Sequence, residues 1–118
     1  MGRLTTHVLD TANGCPAGGV AIELFRIGPD GARTSLVATS TNGDGRTDAP
    51  LLAAEAFAIG CYEIVFDAGA YFRARGTPTA EPAFLGLVPI RFSIADSNGH
   101  YHVPLLVSPW SYSTYRGS

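Results

Sequence analysis

Three histidines are the residues of this chain best suited to chemistry, and they lie near its two ends: His7, His100 and His102. His100 and His102 are two residues apart, so they share a face if both lie in one regular strand. In a sandwich the first and last strands often share a sheet, which would bring His7 to the same place. Such a group could bind a metal, or His100 and His102 could simply be exposed at a strand start. No acid or cysteine stands at a supporting spacing, so the zinc interpretation is weak.

An arginine and the C-terminal tail add two further features. The turn Asn42-Gly43-Asp44-Gly45 leads directly into Arg46, whose guanidinium could clamp a planar anion or could be an ordinary solvated loop arginine. The tail, residues 112–118, carries two tyrosines and Arg116. Since termini are usually plain and frayed, this composition suggests that the tail packs into a site or an interface.

The elements that must position these residues are short strands. Alternating or β-branched runs bounded by turn formers predict strands at 4–10, 20–27, 34–40, 61–66, 88–94, 101–107 and 112–115. One short helix is predicted at 68–75, between Asp67 as N-cap and Gly76 as stop. Seven or eight short strands separated by turns indicate an all-β antiparallel sandwich or barrel. Gly-x-Ser-x-Gly, P-loop and dinucleotide motifs do not occur.

Composition narrows the class of protein. The 118 residues suit one domain, 1–118, and the 46% share of hydrophobic residues argues against a disordered chain. Only 15% are charged, which favours burial of surface against other subunits. The net charge of −2 argues against nucleic-acid binding, and no apolar run is long enough for a membrane span. Without a signal region or a peroxisomal address, and with Cys15 and Cys61 read as free thiols, a cytoplasmic protein is expected.

Several separated blocks together resemble a known family. Residues 102–109, His-Val-Pro-Leu-Leu-Val-Ser-Pro, and the final Tyr-Arg-Gly-Ser resemble the C-terminal signature of the 5-hydroxyisourate hydrolases. Thr-His-Val-Leu-Asp at 6–10 with Gly-Cys-Pro-Ala at 14–17 resembles the N-terminal signature, and Gly-Arg-Thr at 45–47 the middle block. The resemblance runs in order through nearly the whole chain and is weakest at 49–57.

The resemblance implies a transthyretin-like eight-stranded β-sandwich with one short helix, assembled as a homotetramer, a dimer of dimers. It implies hydrolysis of 5-hydroxyisourate to 2-oxo-4-hydroxy-4-carboxy-5-ureidoimidazoline in urate breakdown, with no cofactor and no metal. His7 and His102 would be catalytic, either one being the base. His100 is not carried over as essential. The implied substrate-binding residues are Arg46, Tyr115, Arg116 and Ser118.

Two other classes of protein share this framework. Transthyretin itself, a small-ligand carrier, is similar but does not have the histidines, the loop arginine or the Tyr-Arg-Gly-Ser ending. A carrier without enzymatic activity would need an apolar lining in place of His7, Arg46 and His102. A structural or adaptor β-sandwich would leave the tail free, so its loss would change nothing.

Overall fold

The protein is a two-layered β-sandwich with one helix, as seen in a computed structural model that describes residues 1–117. Its strands are β1 (Arg3–Thr5), β2 (Val8–Asp10), β3 (Cys15–Pro16), β4 (Ala21–Ile27), β5 (Arg33–Ser40), β6 (Leu52–Ala53), β7 (Gly60–Asp67), β8 (Leu87–Ile94), β9 (His100–His102), β10 (Leu105–Val107) and β11 (Tyr112–Ser113). A 3-10 turn, Ala54–Ala56, follows β6, and helix α1 spans Ala68–Arg75.

One layer is the regular antiparallel sheet β5-β4-β7-β8. The other consists of two shorter sheets, β6-β1-β9 and β11-β10-β2-β3, which are continuous because β1 runs on into β2 and β9 into β10. Counting each interrupted strand once gives nine strands, of which β3, β6 and β11 have only two residues each. The all-β sandwich prediction is confirmed.

The first and the last long strands lie side by side, as expected from the sandwich pattern, but they run parallel. Thr5 pairs with His102 in β1-β9, and Leu105 pairs with Val8 in β2-β10. The remaining strand pairs described in residues 1–117 are antiparallel. A parallel pair needs a long connection, and here nearly the whole chain provides it.

Two predicted strands are interrupted, and one ends early. The strand predicted at 4–10 breaks at residues 6–7, so the prediction that His7 sits mid-strand is wrong. The strand predicted at 101–107 breaks at residues 103–104, since Pro104 has no N–H to donate. The strand predicted at 112–115 ends at Ser113, where Thr114 instead donates its hydroxyl to the Pro104 carbonyl at 2.7 Å.

The layers enclose an apolar core to which most strands contribute. Its largest fully buried side chains include Leu4, Leu24, Tyr62, Ile64, Phe66, Phe72 and Leu105. The alternating pattern predicted for the second strand is confirmed, because Ile22 and Leu24 are buried. Cys15 and Cys61 are free thiols. No helix in the described part of the chain is long and apolar enough to cross a membrane.

Helix α1 forms where the sequence predicts it. The Asp67 carboxylate accepts a hydrogen bond from the Ala70 N–H at 3.1 Å, and Gly76 ends the helix with φ of 82°. That left-handed conformation favours glycine. The helix has four buried residues: Ala68, Gly69, Tyr71 and Phe72.

A buried carboxylate ties this helix to β2. Asp10 accepts hydrogen bonds from the Ala12 and Asn13 N–H groups, from the Asn13 side chain at 2.7 Å and from the Tyr71 hydroxyl at 2.8 Å. Burial raises the pKa of Asp10, but the hydrogen bonds from Asn13, Tyr71 and Ala12 lower it further than burial raises it. Burial and the same carboxylate raise the pKa of Tyr71 to about 12, so its hydroxyl stays a donor.

Tyr71→Phe should therefore destabilise the fold. It removes one of the donors to a buried charged acceptor, so we expect the free energy of unfolding to fall by about 1.5–3 kcal/mol in urea denaturation at fixed protein concentration. Tyr112→Phe is the matched control, because Tyr112 is exposed and should change stability by no more than about 0.5 kcal/mol. Equal stability of the two variants would contradict this role of Asp10.

Candidate active site

The base of the site is the outward face of the parallel pair β1-β9. Leu4 and Tyr101 point from these strands into the core, so Thr5, His100 and His102 are on the opposite face by alternation. The expectation that His100 and His102 share a face is confirmed. Their ring centroids are 6.4 Å apart.

Both imidazoles bind one hydroxyl. Thr5 Oγ1 is 2.8 Å from His102 Nδ1 and 3.0 Å from His100 Nε2. Since Thr5 engages Nδ1, the Nε2 of His102 is the ring nitrogen left for a ligand.

Arg46 reaches the site through a turn whose shape the sequence dictates. The Asn42 side-chain oxygen accepts hydrogen bonds from the Asp44 and Arg46 N–H groups, at 2.9 and 3.2 Å. Gly45 has φ of 75°, and a Cβ there would collide with the Val8 carbonyl oxygen. The turn is held against the sheet by the Val8 N–H, which donates to the Gly45 carbonyl at 2.8 Å.

Arg46 and the two imidazoles line one cleft of about 380 Å³. Its lining includes Arg3, Thr5, Arg46, Asp48, His100 and His102. A volume in this range suits a small-molecule ligand. Two guanidinium groups and one carboxylate make it a polar, electropositive cleft, suited to a planar molecule with carbonyl oxygens or partial negative charge.

The surroundings favour the neutral form of His102. Burial lowers its pKa first, and the positive charges of Arg46, His100 and His7 lower it further. A neutral imidazole whose Nε2 holds a lone pair is able to take a proton near neutral pH. Because the folded pKa is below the unfolded one, His102 also costs stability as the pH falls below about 6.5.

His7 lies beside this cleft but outside its lining. Its backbone forms a bridge with Arg46, and its ring Nε2 is 2.9 Å from the Asp44 carbonyl oxygen. A carbonyl only accepts, so Nε2 of His7 carries a proton. The structure thus brings His7, Arg46 and His102 together around the Asn42–Gly45 turn, with the His7 Nε2 engaged by the turn itself.

The tail packs behind His102. Gly117 forms a backbone bridge with His102, donating its N–H to the His102 carbonyl at 2.7 Å, and a Cβ at Gly117 would stand 2.9 Å from His102 Cδ2. Tyr115 and Arg116 line a different cavity, with the Arg116 guanidinium 4.1 Å from the Tyr101 ring centroid. Ser118, also expected in the site, lies outside the described residues.

The described side chains around the cleft do not form a cluster of metal ligands. Within residues 1–117, no three His, Cys, Asp or Glu side chains are grouped closely enough to hold a metal ion. The paired histidines hydrogen-bond Thr5 instead.

Thr5 is the site residue that sequence reasoning missed, together with Arg3 and Asp48 in the cleft lining. One signal was available: Thr5 stands two residues before His7, at a spacing that puts both on one face of an extended chain. His100, set aside as unessential, is in the lining and shares Thr5 with His102.

Removing the Arg46 charge should raise the pKa of His102. We expect the His102 imidazole, followed by nuclear magnetic resonance across pH, to titrate below about 6.5 in the native protein and closer to that value in Arg46→Gln. Arg73→Gln is the control, because Arg73 is an exposed helix residue paired with Glu81. A native His102 titrating above 6.5, or one equally affected by both substitutions, would contradict the electrostatic account.

Comparison with known proteins agrees with the fold. Residues 4–117 match the model of the HIUase/Transthyretin family. The 5-hydroxyisourate hydrolase of Pseudomonas aeruginosa is 60% identical over 119 residues, covering 100% of this chain and 93% of that protein. The crystal structure of an (S)-allantoin synthase superposes with a TM-score of 0.93 at 50% identity, covering 99% of this chain and 44% of the other.

A transthyretin structure marks the other branch. The one from Sparus aurata has a TM-score of 0.86 at 30% identity, covering 98% of this chain and 96% of that one. The chain is therefore more similar in sequence to the Pseudomonas aeruginosa hydrolase than to this transthyretin, although its backbone also superposes well on the transthyretin. Because the family model matches residues 4–117 and a full-length relative is 60% identical, the chain belongs to the HIUase/Transthyretin family.

Proposed function

We propose that the protein hydrolyses 5-hydroxyisourate to 2-oxo-4-hydroxy-4-carboxy-5-ureidoimidazoline. The observation that carries this proposal is that His102, whose pKa is lowered, lines the same cleft as Arg46. The 60% identity to a 5-hydroxyisourate hydrolase supports the same reaction. A carrier of apolar ligands would need an apolar lining, whereas two arginines and two histidines line this cleft.

The cleft fits a small, flat, oxygen-rich substrate. 5-Hydroxyisourate is a polar planar bicycle whose six-membered ring contains a lactam. Arg46 and Arg3 supply N–H donors for carbonyl oxygens, and the Asp48 carboxylate supplies an acceptor for ring N–H groups. Arg46 clamps the substrate edge and stabilises the negative charge that develops on the attacked carbonyl oxygen.

His102 is the general base in this proposal. Its free Nε2 takes a proton from water, and the water oxygen bonds to the lactam carbon. The C–N bond then breaks, and the leaving nitrogen takes up a proton. The position of His102 in the cleft lining favours it over His7, whose Nε2 is already donating to Asp44. His7 stays a prediction as the second catalytic histidine, held beside the cleft by the hydrogen bond from its ring to the Asp44 carbonyl oxygen.

The tail acts on the site from behind. The contact of Gly117 with the His102 backbone and ring supports a role for the tail in holding the base. In the single chain, Tyr115 and Arg116 line a second cavity together with Tyr101 of β9. Substrate binding by Tyr115, Arg116 and Ser118 therefore stays a prediction.

A homotetramer is the assembly we propose. Large apolar side chains are exposed on the single chain, among them Leu36, Ile59, Phe84, Leu87 and Trp110. With only 15% charged residues, the chain has little to cover such surface. Light scattering should give four times the chain mass of 12.4 kDa, and a monomer at micromolar concentration would refute the assembly.

The cytoplasmic location also stays a prediction.

Loss of His102 and loss of Arg46 should affect kcat and KM differently. In a stopped-flow ultraviolet assay on freshly generated 5-hydroxyisourate, His102→Ala should lower kcat by about 100- to 10,000-fold. Arg46→Ala should raise KM at least as much as it lowers kcat, if clamping is its main role. Arg73→Ala is the control. A His102→Ala variant with nearly native kcat would remove His102 from the mechanism.

Deleting residues 115–118 should abolish most activity while leaving the fold intact. The core strands precede the segment, so circular dichroism should be unchanged, whereas His102 loses its Gly117 contact. Gly117→Ala is a smaller version, since its Cβ would press on the His102 ring. A folded truncated protein with near-native hydrolysis would make the tail only a structural end.

A further inference from the structure

Thr5 joins the two histidines of the cleft through one oxygen atom. Thr5 Oγ1 lies 2.8 Å from His102 Nδ1 and 3.0 Å from His100 Nε2. A hydroxyl has one proton, so it can donate to one of these nitrogens while accepting from the other. In that arrangement the protonation states of His100 Nε2 and His102 Nδ1 are opposite and linked, whereas a hydroxyl that accepts from both would require a proton on each nitrogen.

The two arrangements in which Thr5 donates to one ring and accepts from the other give His102 opposite chemistry at Nε2. If His102 Nδ1 donates to Thr5 and Thr5 donates to His100, then Nε2 of neutral His102 holds a lone pair and is a base. If His100 donates to Thr5 and Thr5 donates to His102, then Nε2 of His102 carries the proton and is an acid. Hydrolysis of an amide needs a base first and an acid afterwards.

We infer that Thr5 and His100 form a proton relay behind His102, which lets this one imidazole act first as base and then as acid. The inference rests on the proposed function, because the relay has a task only if His102 activates water.

The relay conserves protons at each step. His102 Nε2 takes a proton from water, its Nδ1 proton moves to Thr5 Oγ1, and the Thr5 hydroxyl proton moves to His100 Nε2. His102 is then neutral with a proton on Nε2, and His100 is the imidazolium. When His102 gives its Nε2 proton to the leaving nitrogen, the same transfers run backwards and restore the starting state.

Strand geometry fixes the three groups in place. Thr5 is the direct partner of His102 in the parallel register of β1-β9, and His100 is its diagonal neighbour on the same face. Threonine is β-branched, which restricts its side-chain rotation in a strand and keeps the hydroxyl between the rings.

The charges around the pair favour moving the proton on from His102. The titratable or charged groups that face it are Arg3 on β1, Arg46 and Asp48 after the Asn42–Gly45 turn, and His7. Burial is the largest influence opposing a positive charge on His102, and Arg46, His100 and His7 oppose it as well. Passing the charge to His100 relieves the imidazole that faces the reacting water.

The test compares Thr5→Val, which keeps the shape but removes the hydroxyl, with Thr5→Ser, which keeps the hydroxyl. We expect Thr5→Val to lower kcat by about 10- to 100-fold, less than loss of the base itself, with KM nearly unchanged and the acidic limb of the kcat–pH profile displaced. Thr5→Ser should recover most of kcat and the native limb. Equal kcat and pH profile in native protein and Thr5→Val would overturn the relay.

His100→Gln separates a relay from simple orientation. A glutamine amide can hydrogen-bond Thr5 but cannot carry the transferred proton. We expect nitrogen-15 resonance spectra to show that His102 keeps its Nδ1 proton in this variant, while kcat falls as in Thr5→Val. A His100→Gln protein with native kcat would reduce Thr5 and His100 to orienting groups and contradict the proposal.

The native spectrum decides the matter even where a variant does not fold. Opposite protonation at His102 Nδ1 and His100 Nε2 supports the relay, and protons on both nitrogens of the neutral pair refute it. Native protein without activity on 5-hydroxyisourate would instead defeat the proposed function, whatever the tautomers are. Native activity with an indifferent Thr5→Val would defeat the relay alone.

Discussion

The parallel pairing of the first strand with the last long strand is the constraint on which the site depends. Residues nearly a hundred positions apart become neighbours because Thr5 pairs with His102. Backbone hydrogen bonds from Val103 to Thr5 and from Leu105 to His7 carry this pairing across the interruption at Pro104. The core side chains of the two strands fix which face is outward, so a register slip of one residue would turn the histidines into the core.

The charges around His102 then determine which chemistry the assembled groups could support. Arg46 stands in a turn that Gly45 allows to pass close to Val8, and its charge acts on His102 together with burial. The same guanidinium that disfavours the imidazolium is suited to hold substrate oxygens. Thr5 fixes the His102 ring through Nδ1, which leaves Nε2 as the nitrogen for the chemical step. A hydrolytic base is the function that this combination supports.

Local patterns predicted much of this structure, and long-range contacts account for what they missed. Alternation placed His100 and His102 on one face, Asp67 and Gly76 bounded the helix, and the glycine-rich turn identified Arg46. The break at His7 was missed because it depends on the Gly45 turn packing against the strand. Thr5 was missed because its importance arises only from its neighbours across the sheet. The contact of the tail with the substrate stays a prediction, and in the single chain Tyr115 and Arg116 line a second cavity.

The most direct measurement of the central claim is the rate at which the native protein consumes 5-hydroxyisourate as the pH is lowered from 8 to 5. A base whose pKa is below the ordinary histidine value predicts a rate that holds through neutrality and declines only below about 6.5. A rate no faster than the spontaneous reaction would contradict the assigned hydrolysis. A fast rate that declines already above about 6.5 would contradict His102 as its base.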